Sequence, residues 1–302
     1  MHIPDGFLAT PVWAALDAVS IPAVGYLARR AQRDLEESRA PLLGVMGAFV
    51  FAAQMINFPV GIGTSGHLVG SALLASTLGP SAAAVVMTAI LAVQAFIFQD
   101  GGILVLGANV FNMAFAGVLA GYLPFHYWSA GRWRRFAVFL GGFLSVLVAA
   151  LLALAQLLAS GVPMPPAILA VSAGLFLVTA LLEGAITLAV FQAIERIHPG
   201  WIRKPSPAGG RVTASLALAA VMLGTLGVLF ASSFPDGLEN MAGRLGIAGQ
   251  ARNLFETPLV DYEFRFFQSE WLRKGSAGLI GLTVVYLVCA AMARGLARRK
   301  RA

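Results

Sequence analysis

A single cysteine, Cys289, excludes an intrachain disulfide, and a charged share of 12% is too low for a soluble domain of ordinary composition. Three chemical signatures are also missing: there is no Gly-x-x-x-x-Gly-Lys-Ser/Thr phosphate loop, no His-Glu-x-x-His pair and no serine elbow. Their absence argues against an enzyme, and any ATP-driven step has to come from a partner. No Lys or Arg precedes the first apolar stretch, and Pro4, Asp5 and Gly6 interrupt it. A cleavable signal peptide is therefore not expected, and the mature chain should begin at Met1. The apolar segments lack the alternation of a transmembrane barrel.

What is present is apolar: 58% of the 302 residues are hydrophobic, and the mean hydropathy is +0.80. Helices satisfy their own backbone hydrogen bonds and so can cross lipid. The chain is expected to be an all-α integral membrane protein, a polytopic helical bundle in the cytoplasmic (inner) cell membrane. About nine transmembrane helices are predicted, near 10–28, 42–58, 65–79, 82–98, 103–123, 136–158, 166–194, 212–231 and 275–295. Thr10-Pro11 is a good helix start. The span at 65–79 is short, which suits a re-entrant segment over 59–64 ahead of it.

Basic residues set the expected orientation. With the N-terminus outside and the C-terminus cytoplasmic, the inner segments hold Arg29, Arg30, Arg33, Arg39, Arg132, Arg134, Arg135, Arg196, Arg203, Lys204, Arg211, Arg294, Arg298, Arg299, Lys300 and Arg301. Only Arg244, Arg252, Arg265, Arg273 and Lys274 fall outside, in one long loop rich in acids. The net charge of +7 thus reflects topology; no aromatic-interleaved basic patch suggests nucleic acid, and the Arg298–Arg301 tail suits anionic membrane lipid.

A composition shift around 203–210 divides the chain into residues 1–204 and residues 205–302, the latter two helices flanking an extracytoplasmic loop at 232–274. The halves show no repeat, which disfavours an inverted-repeat transporter. Asp17, Gln54, Asn57, Gln94, Gln99, Asp100, Asn109 and Asn112 map to outer halves or mouths of spans. Either a ligand site opening outward or interhelical hydrogen bonding accounts for them. The small residues of Gly66-x-x-x-Gly70 and Gly117-x-x-x-Gly121 allow close helix approach, within this bundle or against another subunit.

The sharpest feature is Met1-His2-Ile3-Pro4-Asp5-Gly6. A free α-amine, the His2 amide nitrogen and the His2 imidazole can close a five-membered and a six-membered ring around one ion. Pro4-Asp5-Gly6 favours a turn that folds this arm back on the bundle. The fourth nitrogen is expected from His67, in Gly63-Thr64-Ser65-Gly66-His67, placed in the first turn of the third span with Thr64 or Ser65 as its cap. There the helix dipole disfavours imidazolium and leaves a lone pair for the metal. Either histidine alone is more often structural; together, at one level, they read as a metal site. Four nitrogens in a plane suit Ni(II), Cu(II) or low-spin Co(II), with zinc the weaker fit. Asp5, Asn57, Thr64 and Ser65 are the residues expected to aim the rings. His126 and His198 sit among interfacial aromatics on the other side, and Glu183 lines an exit route or is a structural carboxylate.

Met1-His2-Ile3-Pro4-Asp5-Gly6, Asn57-Phe58-Pro59 and Gly63-Thr64-Ser65-Gly66-His67 resemble the CbiM/NikM family, the membrane substrate-binding components of energy-coupling-factor importers for cobalt and nickel. The resemblance covers about the first 200 residues. It implies the Met1 amine, the His2 amide and ring, and the His67 ring as ligands of a transported ion rather than of a resident cofactor. Phe234-Pro235-Asp236-Gly237-Leu238-Glu239 resembles the small NikN-type module, and this fusion favours nickel over cobalt. The resemblance further implies a transmembrane coupling (T) subunit, two copies of an ATPase (A) subunit, and a place in cobalamin biosynthesis if the ion is cobalt. The competing expectations are a self-sufficient permease or channel driven by protons or membrane potential, with Glu183 and Asp17 as relays, and a membrane metal sensor.

Overall fold

A computed structural model describes residues 1–34, 37–197 and 210–299. The linker expected at 203–209, with its module boundary at 204/205, lies outside the described residues, as do His198, Lys300 and Arg301.

The chain is helical throughout its apolar stretches: α1 (Thr10–Asp34), α2 (Ala40–Gln54), α3 (Ser71–Leu78), α4 (Pro80–Val93), α5 (Leu106–Asn109), α6 (Val118–Trp128), α7 (Arg134–Ala159), α8 (Pro166–Ile197), α9 (Arg211–Thr225), α10 (Gly237–Leu245) and α11 (Glu270–Arg299). Wide π-type turns at Gln94–Phe98 and Val110–Gly117 continue α4 and join α5 to α6. Such turns are uncommon and gather at functional sites.

Seven described stretches are long and apolar enough to cross a membrane, rather than the nine expected. The two that fall short are α2, with 15 residues, and α3, with 8. Both are nearly wholly buried by protein. A short apolar run fits a buried core helix as well as a membrane span, and hydropathy does not distinguish them.

The helix predicted over 65–79 is corrected in its first half. Residues 58–66 form a two-stranded antiparallel hairpin, β1 (Phe58–Gly61) and β2 (Thr64–Gly66), and helix begins only at Ser71. Gly70 precedes it at φ +78°, a left-handed conformation open to glycine at little cost, and an added Cβ there would lie 2.6 Å from Val50. Strand β2 and residues 67–70 are buried in protein, whereas the turn at Gly61–Gly63 is exposed; Gly66 packs against Thr179 of α8.

Small residues set the helix spacing inside the bundle. A Cβ at Gly121 would meet Ala72 at 2.7 Å, and one at Gly142 would meet Gly184 at 2.9 Å, so α3, α6, α7 and α8 pack backbone to backbone. The C-terminal helix α11 lies on α2, with Gly44 under Tyr286 and Gly47 under Cys289. Buried amides join helices across the core: Gln94 donates to Gln54, and Asn112 and Gln156 donate to each other. These three polar residues, Gln54, Gln94 and Asn112, act as interhelical glue.

Candidate metal centre

The N-terminal arm enters the protein. Pro4-Asp5-Gly6 turns as expected, with Gly6 at φ +96° and the Phe7 N–H directed at the Pro4 carbonyl. Asn109 grips Ile3 from both sides, accepting its N–H at 2.9 Å and donating to its carbonyl at 3.0 Å. The Asp5 carboxylate accepts three successive backbone N–H groups, from Ile103, Leu104 and Val105. These bonds seat Met1 and His2 in the interior, each 8% exposed.

There the Met1 amine stands 3.0 Å from His67 Nε2, and the His2 and His67 rings lie parallel, 4° apart in plane and 5.5 Å between centroids. Two nitrogens that each bind one ion at about 2.0–2.1 Å, the zinc–nitrogen distance, and subtend a right angle there stand about 2.9 Å apart. The amine and Nε2 are already at that separation. The other His67 nitrogen, Nδ1, lies 3.0 Å from the Leu68 carbonyl, which assigns the proton to Nδ1 and leaves the Nε2 lone pair facing the amine.

His67 does not sit in a helix. It occupies the extended segment between β2 and α3, so the expected cap by Thr64 or Ser65 and the expected dipole effect do not apply. Its imidazole is kept neutral by other means. Burial, then the charge of the Met1 amine and of His2, lower its pKa to about 4, against the opposing pull of Asp236 and Asp100. The segment is fixed by Glu183 of α8, whose two oxygens each accept one N–H at 2.8 Å, from Val69 and Gly70. Glu183 is therefore a structural carboxylate here.

The His2 ring is held by a residue not among the expected partners. Its Nδ1 lies 3.0 Å from Asp100 Oδ1, while its Nε2 is buried without a hydrogen-bond partner among the described residues. A six-membered chelate with the His2 amide runs through Nδ1, the nitrogen that faces Asp100. Burial alone would raise the Asp100 carboxyl, but the charge and hydrogen bond of His2 and the hydrogen bond from Tyr262 hold it well below the usual carboxylate range.

The four residues expected to aim the rings do other work. Asp5 anchors the arm, Thr64 bonds to Ile62, Ser65 donates to the Phe234 carbonyl, and the Asn57 carbonyl accepts the Ser232 N–H. Among the described residues, no hydrogen bond from any of the four reaches either imidazole. Asp17 accepts the Gly107 N–H within the α1–α5 contact. His126 packs against Tyr122, the rings tilted by 34°, and lines a separate cavity of about 740 Å³ with Arg30 and Arg39, away from the arm.

Asp236 is the main residue at the site that sequence reasoning did not assign to it. Its Oδ2 lies 2.5 Å from the Met1 amine and 4.0 Å from His67 Nε2. Burial would raise this carboxyl, but the ammonium beside it and His67 hold it below its ordinary value. The available signal was the motif Phe234–Glu239 itself, an N-cap aspartate followed three residues later by glutamate. Among the described residues no three His, Cys, Asp or Glu side chains gather as a metal-holding group on their own.

Residues 2–201 match the family described as the cobalt uptake substrate-specific transmembrane region, and residues 210–298 match the PDGLE domain. A protein of Archaeoglobus fulgidus that bears the name fused nickel transport protein NikMN is 33% identical over 305 residues, covering 97% of this chain and 98% of its own. The cobalt transport protein CbiM of Acetoanaerobium sticklandii is 34% identical over 207 residues, 64% of this chain and 84% of its own. A crystal structure of a truncated transition metal transporter superposes with a TM-score of 0.58 at 33% identity, covering 66% of this chain and all of that one. The chain is a multi-pass membrane transport protein rather than an enzyme; it belongs to the CbiM/NikM family of cobalt and nickel transport proteins, fused to a NikN-like PDGLE module.

Proposed function

We propose that the chain captures a divalent transition-metal ion, nickel in preference to cobalt, at an extracytoplasmic site and delivers it across the membrane as the substrate-binding subunit of an ATP-driven energy-coupling-factor importer. The donors are the Met1 amine, the His2 amide and ring, and His67 Nε2, four nitrogens of the kind Ni(II) takes in a plane. The observation that carries this reading is the 3.0 Å approach of the Met1 amine to a neutral His67. Chelation by the His2 ring through Nδ1 requires a turn about Cβ–Cγ, which exchanges Asp100 for the ion at that nitrogen.

The full-length similarity to a protein named for nickel supports nickel as the cargo. The distribution of Lys and Arg supports an N-terminus outside and a C-terminus in the cytoplasm. The sequence carries no phosphate loop, so ATP hydrolysis is assigned to separate ATPase subunits working through a transmembrane coupling subunit. A proton-driven permease would need carboxylates free to relay; Asp17 and Glu183 are both engaged by backbone N–H groups.

The test is metal-competition binding on untagged protein beside its His2→Ala and His67→Ala forms, with absorption spectra to report geometry. Both variants should lose tight nickel binding, and the wild type should show a planar nitrogen spectrum. Retention of wild-type affinity by His67→Ala would overturn the site. Uptake by this chain alone in vesicles lacking any ATPase, responding to a pH gradient, would favour the permease instead.

A further inference from the structure

Residues between Phe234 and Tyr262 of the second module contact the metal-binding arm and the segments around it. Arg252 donates its N–H to the Asp5 carbonyl at 3.0 Å, and a Cβ at Gly6 would collide with the Gln250 carbonyl. Asn253 donates to Gln99, the Gln99 side-chain amide donates in turn to the Phe255 carbonyl, and Thr257 donates to the Ile97 carbonyl. Tyr262 donates to Asp100 Oδ2, the carboxylate that holds the His2 ring by its other oxygen, and itself accepts from Gln94. Ser65 is tied to the same segment twice: its N–H donates to the Pro235 carbonyl and its hydroxyl to the Phe234 carbonyl.

Asp236 makes the most direct contact of all. Its two oxygens are divided between two tasks. Oδ1 caps α10, accepting the N–H groups of Leu238 and Glu239 at 2.8 Å each, with Glu239 completing a capping box on the Asp236 N–H. Oδ2 points the other way, at the Met1 amine. The amine therefore has two neighbours, His67 Nε2 and Asp236 Oδ2. An amine bound to a metal is an NH₂ group that keeps two hydrogens. It can give its His67-facing direction to the ion and still donate to Asp236.

From this geometry we infer that the second module completes the metal site, with Asp236 as the positioning residue that holds the Met1 amine against His67. The inference rests on the reading of the Met1 amine and His67 as metal donors. The helix cap anchors the carboxylate rigidly, and a rigid acceptor fixes the direction in which the amine presents its lone pair. Partners that orient a metal ligand in this way typically change metal affinity about 10–100-fold when removed.

The substitution Asp236→Asn tests it cleanly. Asn is as good an N-cap as Asp, so its Oδ1 keeps α10 capped, while an NH₂ group replaces the oxygen that faced the amine. Donor then meets donor. Nickel titrations on the untagged full chain, with a chromophoric chelator as competitor, should show affinity reduced about 10–100-fold and the absorption band of the bound ion shifted. Glu239→Gln, which removes a neighbouring negative charge but keeps an oxygen for the Asp236 N–H and does not touch the amine, should leave both unchanged. Wild-type affinity in Asp236→Asn, or an equal loss in Glu239→Gln, overturns the role assigned to Asp236. His67→Ala is the third arm: if it too binds like wild type, the metal-site reading itself has failed, whereas its loss alongside an unaffected Asp236→Asn defeats only the role given to the second module.

Discussion

The Met1 amine and His67 Nε2 are separated by 66 positions in the chain and by 3.0 Å in space. Nothing local brings them together. Asn109 and the loop at 103–105 hold the arm on one side, and Glu183 holds the 67–70 segment on the other. Two independently anchored pieces of main chain thus present nitrogen to one point, an arrangement that, on the proposed reading, saves an ion the cost of ordering its ligands.

Adding one residue ahead of Met1 replaces the amine by a peptide nitrogen and places a new side chain in a pocket where Met1 is 8% exposed. Tight nickel binding should be lost while helical content by circular dichroism is unchanged. An extended protein, verified by mass spectrometry, that still competes with a strong chelator would exclude the amine as a donor.

Gly102 is a steric gauge of the seated arm. A Cβ there would lie 2.1 Å from Asp5 Oδ1 and 2.3 Å from the Asp5 nitrogen, so Gly102→Ala should lift the arm and weaken nickel binding by at least tenfold. Gly131, whose Cβ would meet nothing within 4 Å, serves as the control, and Gly131→Ala should bind as wild type. Equal affinities in the two variants would mean that the seated arm is not required.

Glu183→Gln leaves one oxygen and one NH₂ group facing two backbone donors. The mismatch should cost about 1–3 kcal/mol of stability. It should also reduce nickel affinity, because the same two bonds position the chain next to His67. Paired measurements of unfolding temperature and nickel affinity on the purified protein check it; a variant unchanged in both would remove Glu183 from the account.

The buried His67 predicts a pH dependence in the metal-free protein. Its folded pKa of about 4 lies below the ordinary 6.5, so above pH 6.5 both states are neutral and the group contributes nothing. Between about pH 6.5 and pH 4 the unfolded chain takes up the proton first, and stability falls with falling pH by up to ~3 kcal/mol. His67→Gln should flatten this part of the profile of unfolding temperature against pH. An imidazole signal assigned to His67 by NMR that titrated near pH 6.5 would contradict it.

The amino-acid sequence by itself determined a membrane bundle, because its apolar runs leave a chain little alternative to helix. It also pointed to His2 and His67, whose rings the fold brings together, and to the turn at Pro4-Asp5-Gly6, which depends on local backbone preference. It left open whether α2 and α3 cross the membrane, because a short apolar run has one composition whether lipid or protein surrounds it. Nor did it reveal the hairpin at 58–66, a local structure stabilised by packing against α8 and by bonds to residues 234 and 235. Only the tertiary structure decided which acidic residues meet the arm. Asp5, near in sequence, turns away to cap a loop, while Asp100 and Asp236, far off in the chain, reach His2 and Met1. Proximity across a folded interior is set by how whole helices and loops pack, and spacing along the chain carries no record of it.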